Sequence, residues 1–300
     1  MARRNRRPRT ASHIIEEQLD SHATVLESLA GDLLSFIGPI EGGADDLIRD
    51  GVEFRCDGRR ARKPKLAVIL ETPGGYIEVA QRIAHTMRSH YRQVDFIIPN
   101  YAMSAGTVLA LSGDNIYMDY YSTLGPIDPQ IKQHGRFLPA LGYLEQYDRL
   151  IEKSRQGELT TAELAYLIEH FDPAELYSYE QQRELSVTLL KEWLAKYKFK
   201  SWAVTKSKKK KVTRAMKEAR AQQVAEKLNN TALWHSHGHG ISLHVLKTRV
   251  GLLIEDFGRN DALNQAIRTY YKLLKDYMNK LGINGVLHVV GKFTPLHWSE

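Results

Sequence analysis

Apolar positions along the chain follow two alternating rhythms. Residues 13–37 carry Ile14, Ile15, Leu19, Val25, Leu26, Leu29, Leu33 and Leu34 at helical spacing, which predicts an amphipathic helix. A polar, basic stretch (56–65) then leads into the short apolar run Leu66-Ala67-Val68-Ile69-Leu70, stopped by Pro73-Gly74-Gly75. A brief apolar run closed by such breakers predicts a buried strand. Helical spacing returns over 76–90 through Ile77, Ala80, Ile83, Ala84 and Met87, and a second strand over 94–98 ends at Pro99-Asn100. Residues 104–112 predict a short buried helix rich in small residues, and Ile116-Tyr117-Met118 a third strand. Strand, helix, strand, helix, strand in this order implies parallel strands joined by right-handed crossovers, an α/β fold.

Beyond residue 140 the rhythm becomes helical, over 140–156, 160–170, 173–200 and 212–229, with almost no glycine after Gly157. A further strand is expected over 251–257, a long helix over 260–281 and a last strand over 285–290. The organisation expected is a disordered basic tail (1–12), a core with an N-terminal helix (13–139), a helical insertion (140–230) and a segment that completes the core and adds a C-terminal helix (231–300).

A chain of 300 residues is long enough to bury a substantial core. No apolar run reaches the roughly 18–20 residues that span a bilayer. The basic N-terminus is followed by no signal-type apolar segment. With Cys56 alone, no intrachain disulfide can form, so a cytoplasmic location is expected. The net charge of +7 is concentrated in Arg3–Arg9, in Arg59–Lys65 and in Lys206–Lys211. Such blocks are ordinarily solvated tails and loops. A weak contact with nucleic-acid phosphates is a secondary expectation, since no aromatic residues interleave with the tail arginines to stack on bases.

The chemistry concentrates in Thr72-Pro73-Gly74-Gly75 and, about thirty residues on, Ala102-Met103-Ser104-Ala105-Gly106-Thr107. A serine at a strand-to-helix junction projects its hydroxyl at the mouth of the sheet. The N–H of Ala105 and an N–H of Gly74 or Gly75 could then face one point and hold an oxyanion, commonly the largest single catalytic term. Glycine admits a substrate backbone closely, and proline stiffens the turn. The plain alternative is that Ser104 caps a helix and Gly74-Gly75 forms a turn.

This pair of motifs resembles the ClpP/crotonase superfamily of serine peptidases, and within it the signal peptide peptidase A-like proteins and the serine dehydrogenase proteinases. Leu124-Gly125-Pro126-Ile127-Asp128-Pro129-Gln130 is similar to the segment after the third strand in that group, and Trp234 through Ser242 with Val250-Gly251-Leu252 to its late segment. The resemblance covers roughly 45–280 and implies a ClpP/crotonase-like spiral of parallel strands and helices with a large helical insertion. It also implies a peptide or protein substrate, no cofactor, and a homo-oligomer, ring or stacked, with the helices 13–37 and 260–281 as its contacts.

The general base stays open at this level. A Clp-type histidine would align near Ile127 or Asp128, where no histidine stands. The signal peptide peptidase A-like enzymes use a lysine forty to fifty residues past the serine, an offset that Lys153 matches. That lysine must be neutral, hence in an apolar pocket. The rival is the cluster His235, His237, His239 and His244, above all His237 or His239, whose imidazole suits base work near neutral pH. Asp128 is a possible orienting group, or a turn residue. The histidine spacing is not a common zinc pattern and no cysteine lies nearby, so no metal is expected. The competing functions are a catalytically inactive ClpP-like scaffold or binding module and, on the same superfamily fold, acyl-CoA chemistry. Nothing in the sequence looks like a CoA adenine pocket.

Overall fold

The computed structural model describes residues 9–56, 63–127, 130–133, 136–205, 209–234 and 240–297. In chain order the elements are α1 (Ala11–Ala30), β1 (Asp32–Ile37), α2 (Ala44–Cys56), β2 (Lys63–Glu71), α3 (Ile77–His90), β3 (Tyr91–Ile97), β4 (Tyr101–Ala102), α4 (Ala105–Leu111), β5 (Asn115–Met118) and β6 (Thr123–Leu124). A hairpin, β7 (Gln130–Gln133) and β8 (Arg136–Pro139), leads into α5 (Ala140–Gln156), α6 (Thr161–His170), α7 (Pro173–Trp193), α8 (Arg214–Leu228) and the short α9 (Thr231–Trp234). The chain closes with β9 (Ile241–Ser242), α10 (Leu243–Val245), β10 (Glu255–Asp256), α11 (Asp261–Leu281), β11 (Gly285–Val289) and β12 (Lys292–Leu296).

Seven strands form the main sheet in the order β10-β5-β3-β2-β1-β11-β12. The pairs among β10, β5, β3, β2 and β1 are parallel, while β11 and β12 join antiparallel. Side chains alternate across it: Leu34, Phe36, Leu66, Val68 and Leu70 enter one apolar cluster with α2, α3, α4, α7 and α8, while Leu33, Ile37, Ala67 and Ile69 enter another with α1 and α11. Burial on both faces is why the parallel strands read as unbroken apolar runs.

Among the departures from the expected elements, three bear on the core. The helix expected over 13–37 stops at Ala30, where Gly31 takes φ +103°, and residues 32–37 form a strand of the main sheet. Leu33 and Leu34 keep the helical count going, but they belong to a strand buried on both faces, which periodicity does not separate from helix. α2 had no counterpart among the expected elements. The strand expected over 251–257 shrinks to Glu255–Asp256, because Gly251 sits in the left-handed region after a π-helical turn.

The apolar stripes of α1 and α11 meet each other: Leu19, Ala23 and Leu26 pack with Ile267, Tyr270 and Leu274. Ile14, Val25 and Leu29 remain exposed. The helices between 140 and 230 divide between two cores. Leu144, Leu150, Phe171 and Leu176 make a small satellite cluster, whereas Leu189, Leu190, Trp193, Val224 and Leu228 belong to the main one.

Candidate active site

The segments after β2, β3 and β5 fold back across the end of the sheet as a small second layer. Ile40 bridges Gly75, and Thr72 bridges Ala102. β4 pairs with β6, and β6 with β9. This ladder draws together residues 72–75, 101–104, 123–125 and 240–242. Thr107 Oγ1 ties it down, its single proton shared between the carbonyls of Ala102 (2.8 Å) and Gly125 (2.9 Å).

Ser104 stands at the turn from β4 into α4 with φ 50° and ψ −121°. Among the described residues, Lys209 is the only other non-glycine with positive φ. Such a conformation costs on the order of 1–3 kcal/mol and persists only where the surroundings impose it. Ser104 occupies the N-cap position of α4, yet its hydroxyl makes no capping hydrogen bond. The plain helix-cap reading therefore fails, and the hydroxyl has no hydrogen-bond partner among the described residues.

Gly74 is in contact with this serine. A Cβ added at Gly74 would lie 2.9 Å from Ser104 Cβ and 2.7 Å from the Met103 carbonyl oxygen, and the residue itself has φ +105°. At Gly75, with φ +143°, a Cβ would come within 2.2 Å of the Ile40 oxygen. The Gly74 N–H is already engaged, donating to Thr72 Oγ1 at 3.0 Å. The N–H groups of Gly75 and Ala105 have no hydrogen-bond partner among the described residues. Ala105 is the first residue of α4, where helical geometry leaves the N–H open.

Of the leading candidates for the base, Lys153, His237 and His239, only Lys153 lies among the described residues. Lys153 lies on α5, and its Nζ donates to Glu163 Oε1 on α6 at 2.5 Å. The same contact, with the Thr160 N–H, holds the Glu163 carboxyl down at about 2. His237, His239 and Asp128 lie outside the described residues. The segment that follows His239 is fixed: Gly240 abuts Thr123, and β9 pairs with β6. β9 thus stands two strand spacings, about 10 Å, from β4. His244, on α10, lines a cavity of about 470 Å³ with Tyr120, Ser242, Lys247 and Arg259.

The family model of the ClpP-like SDH-type serine proteinases matches residues 59–208, half of the chain and including both glycine and serine motifs. The chain belongs to this family. Two uncharacterized proteins of Methanocaldococcus jannaschii are 39% identical over 98 residues and 42% identical over 88 residues. These matches span 33% and 29% of this chain, and only 32% and 31% of the two relatives' lengths. Among solved structures, a serine-to-alanine mutant of the 1510-N membrane-bound stomatin-specific protease superposes with a TM-score of 0.41 at 13% identity, covering 74% of this chain and 76% of that one. A lysine-to-alanine mutant of that protease, in complex with a substrate peptide, gives 0.43 at 14% identity, covering 89% and 86%. The architecture is the family's mixed α/β, ClpP-like fold with a largely parallel sheet and many helices. Among the described residues, no helix of this family member is long and apolar enough to cross a membrane.

Sequence reasoning missed the polar residues beneath the site. Glu71, the last residue of β2, is buried and accepts from Tyr271 Oη, from Lys275 Nζ (2.9 Å) and from Asn100 Nδ2 (3.4 Å). Burial, then Glu71, push the Tyr271 phenol well above its ordinary range. The signal in the sequence is a lone Glu closing an apolar run, which by itself names no partner.

Proposed function

We propose that this protein hydrolyses peptide bonds through an acyl-enzyme on Ser104. The observation that carries the reading is the serine's position: a strained residue whose hydroxyl does not cap the helix and whose Cβ abuts Gly74, with the N–H groups of the chain neighbours Gly75 and Ala105 unpartnered among the described residues. Ser104 Oγ adds to the scissile carbonyl carbon while a base takes its proton. The oxyanion that forms is held by the two N–H groups; the C–N bond breaks as the base returns the proton to the leaving amine, and a water deprotonated by the same base then cleaves the acyl ester, its proton going back to Ser104 Oγ. Gly74 contributes its missing side chain, and its own N–H keeps the Thr72 turn in shape.

For the base we favour His237 over Lys153. Lys153 is engaged with Glu163 on a helix of the satellite cluster, whereas the histidine segment runs directly into β9, which belongs to the ladder that also holds β4. His239 is the neighbouring choice, and Asp128 the proposed orienting carboxylate. The proposed setting is a cytoplasmic homo-oligomer, ring or stacked, acting on peptide or unfolded protein. The exposed Ile14, Val25 and Leu29 of α1 offer one contact surface. Weak nucleic-acid contact through the basic segments is an additional proposal, checked by salt-dependent binding.

A fluorophosphonate probe tests the mechanism on the full-length oligomer. Ser104 is labelled in the wild-type protein and not in Ser104→Ala; His237→Asn slows labelling by about 10²–10⁴-fold, and Lys153→Met leaves it unchanged. Slow labelling in Lys153→Met alone would transfer the base to the lysine. A silent wild type would support the inactive-scaffold reading, for which the specific observation is that Ser104 Oγ has no hydrogen-bond partner among the described residues.

A further inference from the structure

α11 buries an apolar stripe of Ile267, Tyr270, Leu274, Tyr277 and Met278 under the sheet. Beside that stripe lies a second row, Arg268, Tyr271 and Lys275, at i, i+3 and i+7 on one side of the helix. On an ordinary amphipathic helix such a row points to water. Here the row reaches the carboxyl edge of the parallel sheet at three points, Arg268 at two of them and Tyr271 and Lys275 together at the third.

Arg268 Nη1 donates to the Pro99 carbonyl at 2.7 Å, just past β3, and its Nη2 to Asp119, just past β5. Tyr271 and Lys275 hold the two oxygens of Glu71, the end of β2. Asp119 in turn accepts from the N–H groups of Tyr121 (2.9 Å) and Ser122 (3.2 Å), which shapes the turn into β6. Glu71 also takes Asn100 Nδ2, so one carboxylate ties the start of the 72–75 loop to the start of the 101–104 elbow. Glu71 and Asp119 are nearly inaccessible, with side chains 4% and 3% exposed. A buried carboxylate must be partnered, so these contacts are obligatory.

We infer that Arg268, Tyr271 and Lys275 are positioning residues that set the Gly75 N–H against Ser104 by clamping three strand ends to one helix. The inference rests on the serine-peptidase reading. None of the three touches substrate; they act through Glu71, Pro99 and Asp119. Ser104 and the Gly75 donor sit on separate loops, and their alignment decides the rate. A misplacement of about 1 Å costs about 10²-fold.

The test uses the full chain with Tyr271→Phe/Lys275→Met, two readouts and a control. Phosphonylation of Ser104 should fall about 10²-fold in its maximal rate, with little change in the probe concentration for half-saturation. Hydrogen–deuterium exchange should speed up at 72–75 and 101–104 but not at 66–70 or 94–97. Adding Glu71→Gln removes the unpartnered charge without restoring the clamp, so it should recover stability and leave the labelling rate low; a rate that recovers with it would mean the buried charge, not the clamp, was at fault. Wild-type labelling in the double variant, or loosening spread evenly through the sheet, would overturn the clamp. If the wild-type protein is not labelled at all, the peptidase reading fails separately and the exchange pattern alone decides the clamp.

Discussion

Replacing Gly74 by alanine is the sharpest probe of the oxyanion loop. The new methyl would meet the Met103 oxygen at 2.7 Å and Ser104 Cβ at 2.9 Å, both on the elbow rather than on flexible side chains. Reaching ordinary contact at 3.4 Å opens the gap between loop and elbow by about 0.7 Å. An alanine at φ +105° adds strain of about 1–2 kcal/mol. With the backbone shift, a total of roughly 2–3 kcal/mol of lost stability is expected. At this chain length that lowers the thermal midpoint by several degrees. A displacement approaching 1 Å between Ser104 and the Gly75 N–H should also slow fluorophosphonate labelling by up to about 10²-fold. Gly42→Ala serves as the control, because a Cβ there meets nothing within 4 Å. The assay is calorimetry alongside time-resolved labelling of both variants. If Gly74→Ala labels as fast as Gly42→Ala, the loop does not work through contact with Ser104, and the oxyanion-hole assignment goes with it.

Three further outcomes follow from the same structure. Ser104→Gly and Ser104→Ala should both abolish labelling, but the glycine form should be more stable by about 1 kcal/mol in urea, since only glycine relaxes at positive φ; equal stabilities would remove the strained elbow. His288 is buried between Asp20 on α1 and Tyr270 on α11, and burial lowers its pKa below the ordinary 6.5 despite Asp20. The unfolded chain therefore takes up the proton first, so stability should fall as pH drops below about 6.5. That acid limb should flatten in His288→Gln, as read from urea midpoints. Burial also lowers the Lys198 ammonium to about 8, against the pull of Asp95, Glu255 and Asp114. Folding is penalised below that pH and recovers as pH climbs from about 8 toward the ordinary 10.5. Lys198→Met should gain stability at neutral pH and lose that advantage in alkali.

The parallel core was legible because β2, β3 and β5 are apolar runs closed by Pro-Gly-Gly, Pro-Asn and polar turns, all local signals. α5 was expected over 140–156 and spans Ala140–Gln156, since its stripe and flanks are equally local. β1 was hidden because a strand buried on both faces keeps no period of two. The glycine loop and Ser104 stood out by residue type, but the non-capping hydroxyl and the engaged Gly74 N–H are properties of backbone angles. Lys153 came from an offset along the chain, and an offset shows nothing of the ion pair it makes with Glu163, ten residues on. The contacts of Glu71 with Tyr271 and Lys275 span 200 and 204 positions, beyond any local pattern.

α7 starts beside Phe171 and Leu176 of the satellite cluster and ends with Leu190 and Trp193 in the main core. Its 21 residues form a rod about 30 Å long with its two ends in separate stability domains. Amide protection should therefore grade along this single helix, weak at Glu175 and strong at Leu190. The outer half, with α5 and α6, can open and close while the sheet stays folded. It is the natural place to lengthen, shorten or tag the chain, with the exposed turn at Gly157 as the insertion point.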